Sequence, residues 1–165
     1  MTPRRTISVF LYIPERKAIV LGVRSESQSH PFLLQATAHG SLQEGEDHAD
    51  AIERELKEET TLDLVDIGSL TFLGELDAGH RVPELCSYYL SPLTEAGMKK
   101  LRPTEEVSRF TFLTKEGATD VVRWEDAETH DLDMTTHRVM FEDELQALLM
   151  AFALLEEHRW NPLGA

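Results

Sequence analysis

One cysteine, Cys86, stands in a chain of 165 residues. No intramolecular disulfide is therefore open to it, which fits a reducing cytoplasm, the compartment expected for this protein. Basic residues are scarce as well. Sixteen lysines and arginines face 30 aspartates and glutamates, a formal net charge of −14. Such a surface repels a nucleic-acid backbone, whose recognition calls for a basic stripe, so long RNA or DNA is not expected as a ligand. A small phosphorylated ligand is still admitted, because a bound cation reverses the local charge. Long apolar runs are missing too. The longest, Ala147 to Leu155, falls far short of the ~20 residues of a membrane span, and no membrane partner is expected. Near the N-terminus, Arg4 and Arg5 precede an apolar run that Pro14 and Glu15 cut short, which is not the pattern of a signal peptide. Internal repeats and low-complexity segments are absent. What is left is the composition of one globular domain over residues 1–165, 41% hydrophobic and 28% charged.

Ile7 to Ile13 and Ala18 to Val23 are rich in β-branched and aromatic residues. With the turn Pro14-Glu15-Arg16-Lys17 between them, they predict a β-hairpin. Phe32 to Ala38 predicts a short strand leading into Gly40. Further strands are expected around Leu70 to Leu76, Leu85 to Leu90 and Val107 to Leu113, with a short helix from Thr94 to Leu101. Thr114 to Thr135 has no clear period; its elements are left open, with room for a loop over a site. A long final helix is expected over Thr136 to Arg159. Its apolar residues cover more than one stripe, which suits packing on a sheet and leaves a homodimer contact open. Strands, one helix, strands and a closing helix predict an α/β fold with a mixed sheet.

Between Gly40 and Leu62 the sequence is GSLQEGEDHADAIERELKEETTL. Glu46 to Thr60 predicts a helix with Asp47 as N-cap and acids in the first turn, where the helix dipole favours them. At about 100° per residue, Ala49, Ile52 and Leu56 form the face toward the sheet. Glu55 and Glu59 border that face, Glu58 lies outward of Glu55, and Arg54 is one turn from Glu58 and able to pair with it. A carboxylate beside a core stripe is costly unless paired or bound to metal. Three of them together repel one another, and a divalent cation removes the conflict. All-oxygen ligands favour Mg²⁺ or Mn²⁺ over zinc. A glycine loop directly before the helix, and an arginine inside the acidic run, set this segment apart from an ordinary solvated acidic helix.

Gly40, Glu46, Arg54, Glu55, Leu56, Glu58, Glu59 and Leu62, at these spacings, resemble the Nudix box of the Nudix hydrolases. Eight of its nine specified positions agree. The departure is Thr61, where the family has the glycine that closes the helix in a left-handed conformation. A β-branched residue adopts that conformation poorly, so either the backbone is strained there or the helix ends differently. Ala38-His39 stand where many members have Pro-Gly.

The resemblance implies a Nudix α/β/α sandwich with a catalytic loop-helix, and hydrolysis of a nucleoside diphosphate linked to another group, X. It further implies Mg²⁺ or Mn²⁺ held by Glu55, Glu58, Glu59 and the carbonyl of Gly40, with Arg54 orienting the glutamates through Glu46. The proton acceptor is Glu55, Glu58, or one of the later pair Glu105 and Glu106. Arg24, His39 and Arg81 are candidate substrate contacts, and Phe112 a candidate base contact. Two other functions share this fold. One is a non-catalytic nucleotide-binding module. The other is an isoprenoid diphosphate isomerase, for which Cys86 is the only cysteine to call on.

Overall fold

The computed structural model describes residues 2–79 and 82–163. The first strand shows how the layers arise. In β1 (Arg4–Ile13), Ile7, Val9, Leu11 and Ile13 join one buried cluster, while Phe10 and Tyr12 join another. Side chains alternate across a strand, so a strand buried at every position from Thr6 to Ile13 must be covered on both faces.

The expected hairpin forms with β2 (Ala18–Arg24), which pairs antiparallel with β1 only over Leu11–Ile13. Beyond that the two strands part. The segment expected as one strand instead divides into β3 (Leu34–Gln35), paired with β2, and β4 (Ala38–Ser41), paired with β1 over Thr6–Val9. Thr37 stitches the fork: its hydroxyl donates to the Val20 carbonyl at 2.6 Å and accepts the Leu11 N–H at 2.9 Å. After β4 comes α1 (His48–Thr60), followed by β5 (Thr71–Asp77), β6 (Glu84–Pro92), α2 (Glu95–Lys100) and β7 (Val107–Thr114). Strand β6 runs parallel to β1, setting Arg4 opposite Glu84, and β7 pairs antiparallel with β2. These seven strands make one mixed sheet among the described residues.

The structure settles the stretch from Thr114 to Thr135, which the sequence leaves open. The stretch holds α3 (Lys115–Ala118), β8 (Val122–Arg123) and α4 (Trp124–Thr129). The last helix is shorter than its apolar pattern predicts. Val139–Met140 form β9, parallel to β8, and α5 runs over Glu142–Glu157. Helix α1 covers one face of the sheet through Ala51, Ile52 and Leu56, and α5 covers the other through Leu148, Ala151, Phe152 and Leu155. Ala49, expected on the buried face of α1, is exposed, and Ala51 takes that role. On α5, Leu149 and Met150 remain exposed; they are the surplus apolar surface behind the expectation of a dimer contact. Among the described residues no helix is long and apolar enough to cross a membrane.

Two acids tie the start of α5 to the sheet. Asp143 accepts the Tyr88 hydroxyl, and Glu144 accepts the Ala36 N–H at 2.8 Å. Burial, aided by Asp143 and Glu84 and opposed by the Ala36 N–H and Arg24, pushes Glu144 up to about 8; Cys86 and Tyr88 on β6 also face it. A carboxyl whose pKa is raised by folding holds its proton more tightly in the native state. Stability is therefore lost as pH climbs from its unfolded value toward about 8, by at most ~1.4 kcal/mol per unit. Glutamine keeps the acceptor without the charge. Urea unfolding of Glu144→Gln should match wild type at about pH 4, below the unfolded value, and exceed it at about pH 9 by roughly 2 kcal/mol or more.

Candidate active site

Helix α1 starts as its sequence dictates, with the Asp47 carboxylate accepting the Asp50 N–H at 2.8 Å. Its burial stripe carries Glu55 and Glu59 inward with Ile52 and Leu56, leaving the two glutamates 6% and 2% exposed. The Glu58 side chain stays 53% exposed, 3.6 Å from the Arg54 guanidinium. Strand β4 lies against α1 so closely that a Cβ on Gly40 would overlap the Glu55 carboxylate. Any larger residue there would have to push the Glu55 carboxylate from its place, a physical reason for a glycine ahead of the helix.

Arg54 is the hub. It donates to both oxygens of Glu46 at 2.9 Å, to Glu55 at 2.5 Å and to the Ser41 carbonyl at 2.9 Å. The guanidinium fork suits this bidentate grip. The Arg54 bond, with a backbone N–H from Gln43, holds Glu46 down at about 2. Glu59 is held differently, by the His39 N–H at 3.2 Å and Gln35 Nε2 at 3.0 Å. Burial first, then the charge of Glu55, pushes Glu59 up to about 9. Glu55 is also raised by burial, against the pull of Arg54. The His39 ring is kept neutral, its pKa lowered to about 4 by burial and by Arg24 and Arg4, and its Nδ1 meets the Ser8 hydroxyl at 2.6 Å.

These groups line a cleft of 380 Å³. Of the residues predicted from sequence, Gly40, Glu55, Glu58, Glu59, Arg24, His39 and Glu106 all line it. Arg54 lies behind its glutamates. Arg24 is braced by Ser29 and Gln35. Glu105 is not among the lining residues; its carbonyl accepts Ser25 and Ser27. Arg81 falls outside the described residues. Phe112 is away from the cleft, 39% exposed with the Arg16 guanidinium 5.2 Å above its ring. Cys86 is buried against Ser8, and burial pushes its thiol up to about 12, so isomerase chemistry has no accessible thiolate here.

Arg4, Gln35 and Glu84 also line the cleft, and sequence reasoning missed them. Arg4 and Glu84 meet through the parallel register of β1 and β6, at 3.6 Å.

Among the described residues no three histidine, cysteine or carboxylate side chains stand together at metal-ligand spacing, and Glu58 stands 3.6 Å from the Arg54 guanidinium. The donor chemistry nevertheless fits a hard cation. Two buried carboxyls press together with only one compensating arginine, beside a backbone held close by a glycine, and every donor is oxygen.

Thr61 takes the left-handed conformation itself, φ 67 and ψ 11, with its N–H on the Lys57 carbonyl. The helix therefore ends as the glycine form would. The strain of ~1 kcal/mol or more is offset by a hydroxyl bond to the Lys100 carbonyl at 2.6 Å.

The NUDIX domain model matches residues 2–150. Among curated proteins none matches the chain. The MutT protein of Methanosarcina mazei Go1 superposes with a TM-score of 0.66 at 12% identity, over 94% of this chain and 97% of that one. An Ap4A hydrolase of C. elegans, in a binary complex, gives 0.62 at 17%, over 93% and 98%. The NUDIX domain of Shewanella oneidensis NrtR, complexed with ADP ribose, gives 0.63 at 15%, over 94% and 90%. A bifunctional NMN adenylyltransferase/ADP ribose pyrophosphatase of Francisella tularensis, holding AMP and a Mn ion, also shares the fold, with a TM-score of 0.58. At such identities the likeness is one of fold. With the box, the mixed sheet between α1 and α5, and the matched model together, the chain belongs to the Nudix family, a family of hydrolases.

Proposed function

We propose that this protein hydrolyses the pyrophosphate linkage of a nucleoside diphosphate linked to X, with Mg²⁺ or Mn²⁺, and that residues 1–165 form one domain for that purpose. Candidate substrates are nucleotide sugars, dinucleotides and nucleoside triphosphates. The observation that carries this reading is the pair of buried, mutually repelling carboxyls, Glu55 and Glu59, facing a cleft beside Gly40. A module that only binds nucleotides gains nothing from such a pair, whose assembly costs stability.

Glu55, Glu58, Glu59 and the Gly40 carbonyl would hold the ion, which would supply positive charge against the diphosphate and acidify water. The chain's own residues do the rest. Arg54 fixes Glu55 and Glu46 in place. The His39 N–H and Gln35 fix Glu59. Arg4 and Arg24 bring two positive charges to the cleft wall, where phosphate oxygens need them. Glu106 joins Glu55 and Glu58 as a carboxylate able to take the proton of the attacking water.

The test is a panel of nucleotide sugars, dinucleoside polyphosphates and nucleoside triphosphates, incubated with Mg²⁺ or Mn²⁺ and analysed for phosphate-ester products. At least one compound should be cleaved, and chelation should stop it. Tight binding of one compound with cleavage of none would replace the hydrolase by a nucleotide-binding module.

A further inference from the structure

A second hollow, of 450 Å³, opens on the α5 side of the sheet between β7 and the segment 134–138. Such a volume lies within the usual range of small-molecule sites, about 300–1,000 Å³. Its relation to the active-site cleft follows from strand geometry. Val23 lines the hollow and Arg24 lines the cleft; Leu34 lines the hollow and Gln35 the cleft. Neighbours along a strand point to opposite faces, so the two sites lie back to back across β2 and β3.

Their charges are opposed. The cleft carries Glu55, Glu58, Glu59, Glu84 and Glu106. The hollow has no carboxylate on its wall, and carries Arg109, Arg138 and His137. In a chain of net charge −14 that is a marked local reversal. Several other arginines are consumed: Arg5 holds Glu75, Arg54 holds Glu46, and Arg123 holds Asp126 and Glu142. The guanidinium groups of Arg109 and Arg138 make no hydrogen bond or ion pair among the described residues. The floor between them is apolar, from Val23, Phe32, Leu34 and Met134.

The wall is built. Asp133 accepts the Thr135 N–H at 2.8 Å and the Thr135 hydroxyl at 2.7 Å. The N–H groups of Thr136 and His137 both close on the Asp133 carbonyl, and the Arg138 carbonyl accepts the Val122 N–H at 2.8 Å. His137 Nδ1 is used within this turn, which leaves Nε2 for a ligand.

We propose that this hollow is a second binding site, for a phosphate monoester carried on an apolar or planar body, of which a nucleoside monophosphate is the simplest case. Arg109 and Arg138 receive the phosphate and the floor receives the body. The phosphate belongs either to a separate ligand or to the far end of an X group that reaches round the sheet. The site does not depend on the hydrolase assignment.

The test is calorimetric titration of the full chain with AMP in EDTA, where no turnover occurs, so a protein that cleaves nothing still reports on the site. Wild type should bind. Arg109→Ala/Arg138→Ala should weaken binding at least tenfold, Arg109→Lys/Arg138→Lys should recover most of it, and Glu59→Gln should leave it unchanged. No binding, or equal affinity in the double alanine variant, overturns the proposal. So does binding that Arg4→Ala abolishes, since AMP would then sit in the cleft. The source is assigned kinetically: in the double alanine variant a raised KM for dinucleoside polyphosphates with unchanged kcat marks the far end of X, and an unchanged KM marks a separate ligand.

Discussion

Glu59→Gln should lower turnover at least ~100-fold and leave the fold intact. The two halves of this expectation have different causes. A cation site that loses one of its charged oxygens loses part of the several kcal/mol of charge stabilisation that a metal supplies, and every 1.4 kcal/mol is about tenfold in rate. The fold survives because glutamine matches glutamate in volume. Its side-chain oxygen can still accept the His39 N–H now at 3.2 Å. Burial and Glu55 already push Glu59 up to about 9, so at neutral pH glutamine replaces a protonated carboxyl and the melting temperature should be unchanged; only above that pH does the variant gain, by removing a buried charge beside Glu55. Mn²⁺ affinity, followed by electron paramagnetic resonance, should fall at least tenfold in parallel. Wild-type turnover, or unchanged Mn²⁺ binding, would remove Glu59 from the ligand set. Collapse of the fold would show instead that its role is structural.

The helix that carries Glu59 was legible because its constraints are local. Capping by Asp47, the apolar spacing of Ile52 and Leu56 and the place of Glu55 and Glu59 beside them all follow from 3.6 residues per turn. Even Thr61 obeyed the box, adopting the glycine conformation and offsetting its strain with a hydroxyl bond. Ala49 was misplaced because alanine weighs little in any apolar pattern; one more or fewer buried methyl does not set a helix's rotation. The final helix was overextended because Val139 and Met140 are apolar in either structure. What makes them a strand is their pairing with Val122 and Arg123, a contact that periodicity does not encode. The far wall of the cleft was invisible for the same reason. Arg4 and Glu84 are brought together by the register of two parallel strands, and Gln35 by the fork between β1 and β2 that Thr37 holds open. Local order reveals ligands that share a helix; it does not reveal residues assembled by topology.

Arg54→Ala should be the variant that costs both activity and stability. Arg54 is not among the residues lining the cleft, so its expected role is to act through the carboxylates it holds. Without it, Glu55 stays buried at 6% exposure with no cationic partner, facing Glu59. The Ser41 carbonyl loses its guanidinium donor as well, and Glu46 keeps only the Gln43 N–H. Leaving a buried charge unpaired costs about 3–5 kcal/mol. Arg54 is itself partly exposed, 24%, so water repays some of this and ~2 kcal/mol is the expected loss in urea unfolding. Turnover should fall ~10–100-fold, the range seen when the partners that orient metal ligands are removed. Arg54→Lys separates charge from geometry. An ammonium neutralises the carboxylates but does not span Glu46, Glu55 and the Ser41 carbonyl with one planar fork. Stability should therefore recover more fully than turnover. Equal recovery of both would mean that charge alone matters and that the fork does not position Glu55. A double cycle with Glu46→Gln sharpens the point. If Arg54 works through Glu46 as the 2.9 Å pair of bonds implies, the two losses will be strongly non-additive, whereas simple addition would leave Glu46 a bystander on the helix approach.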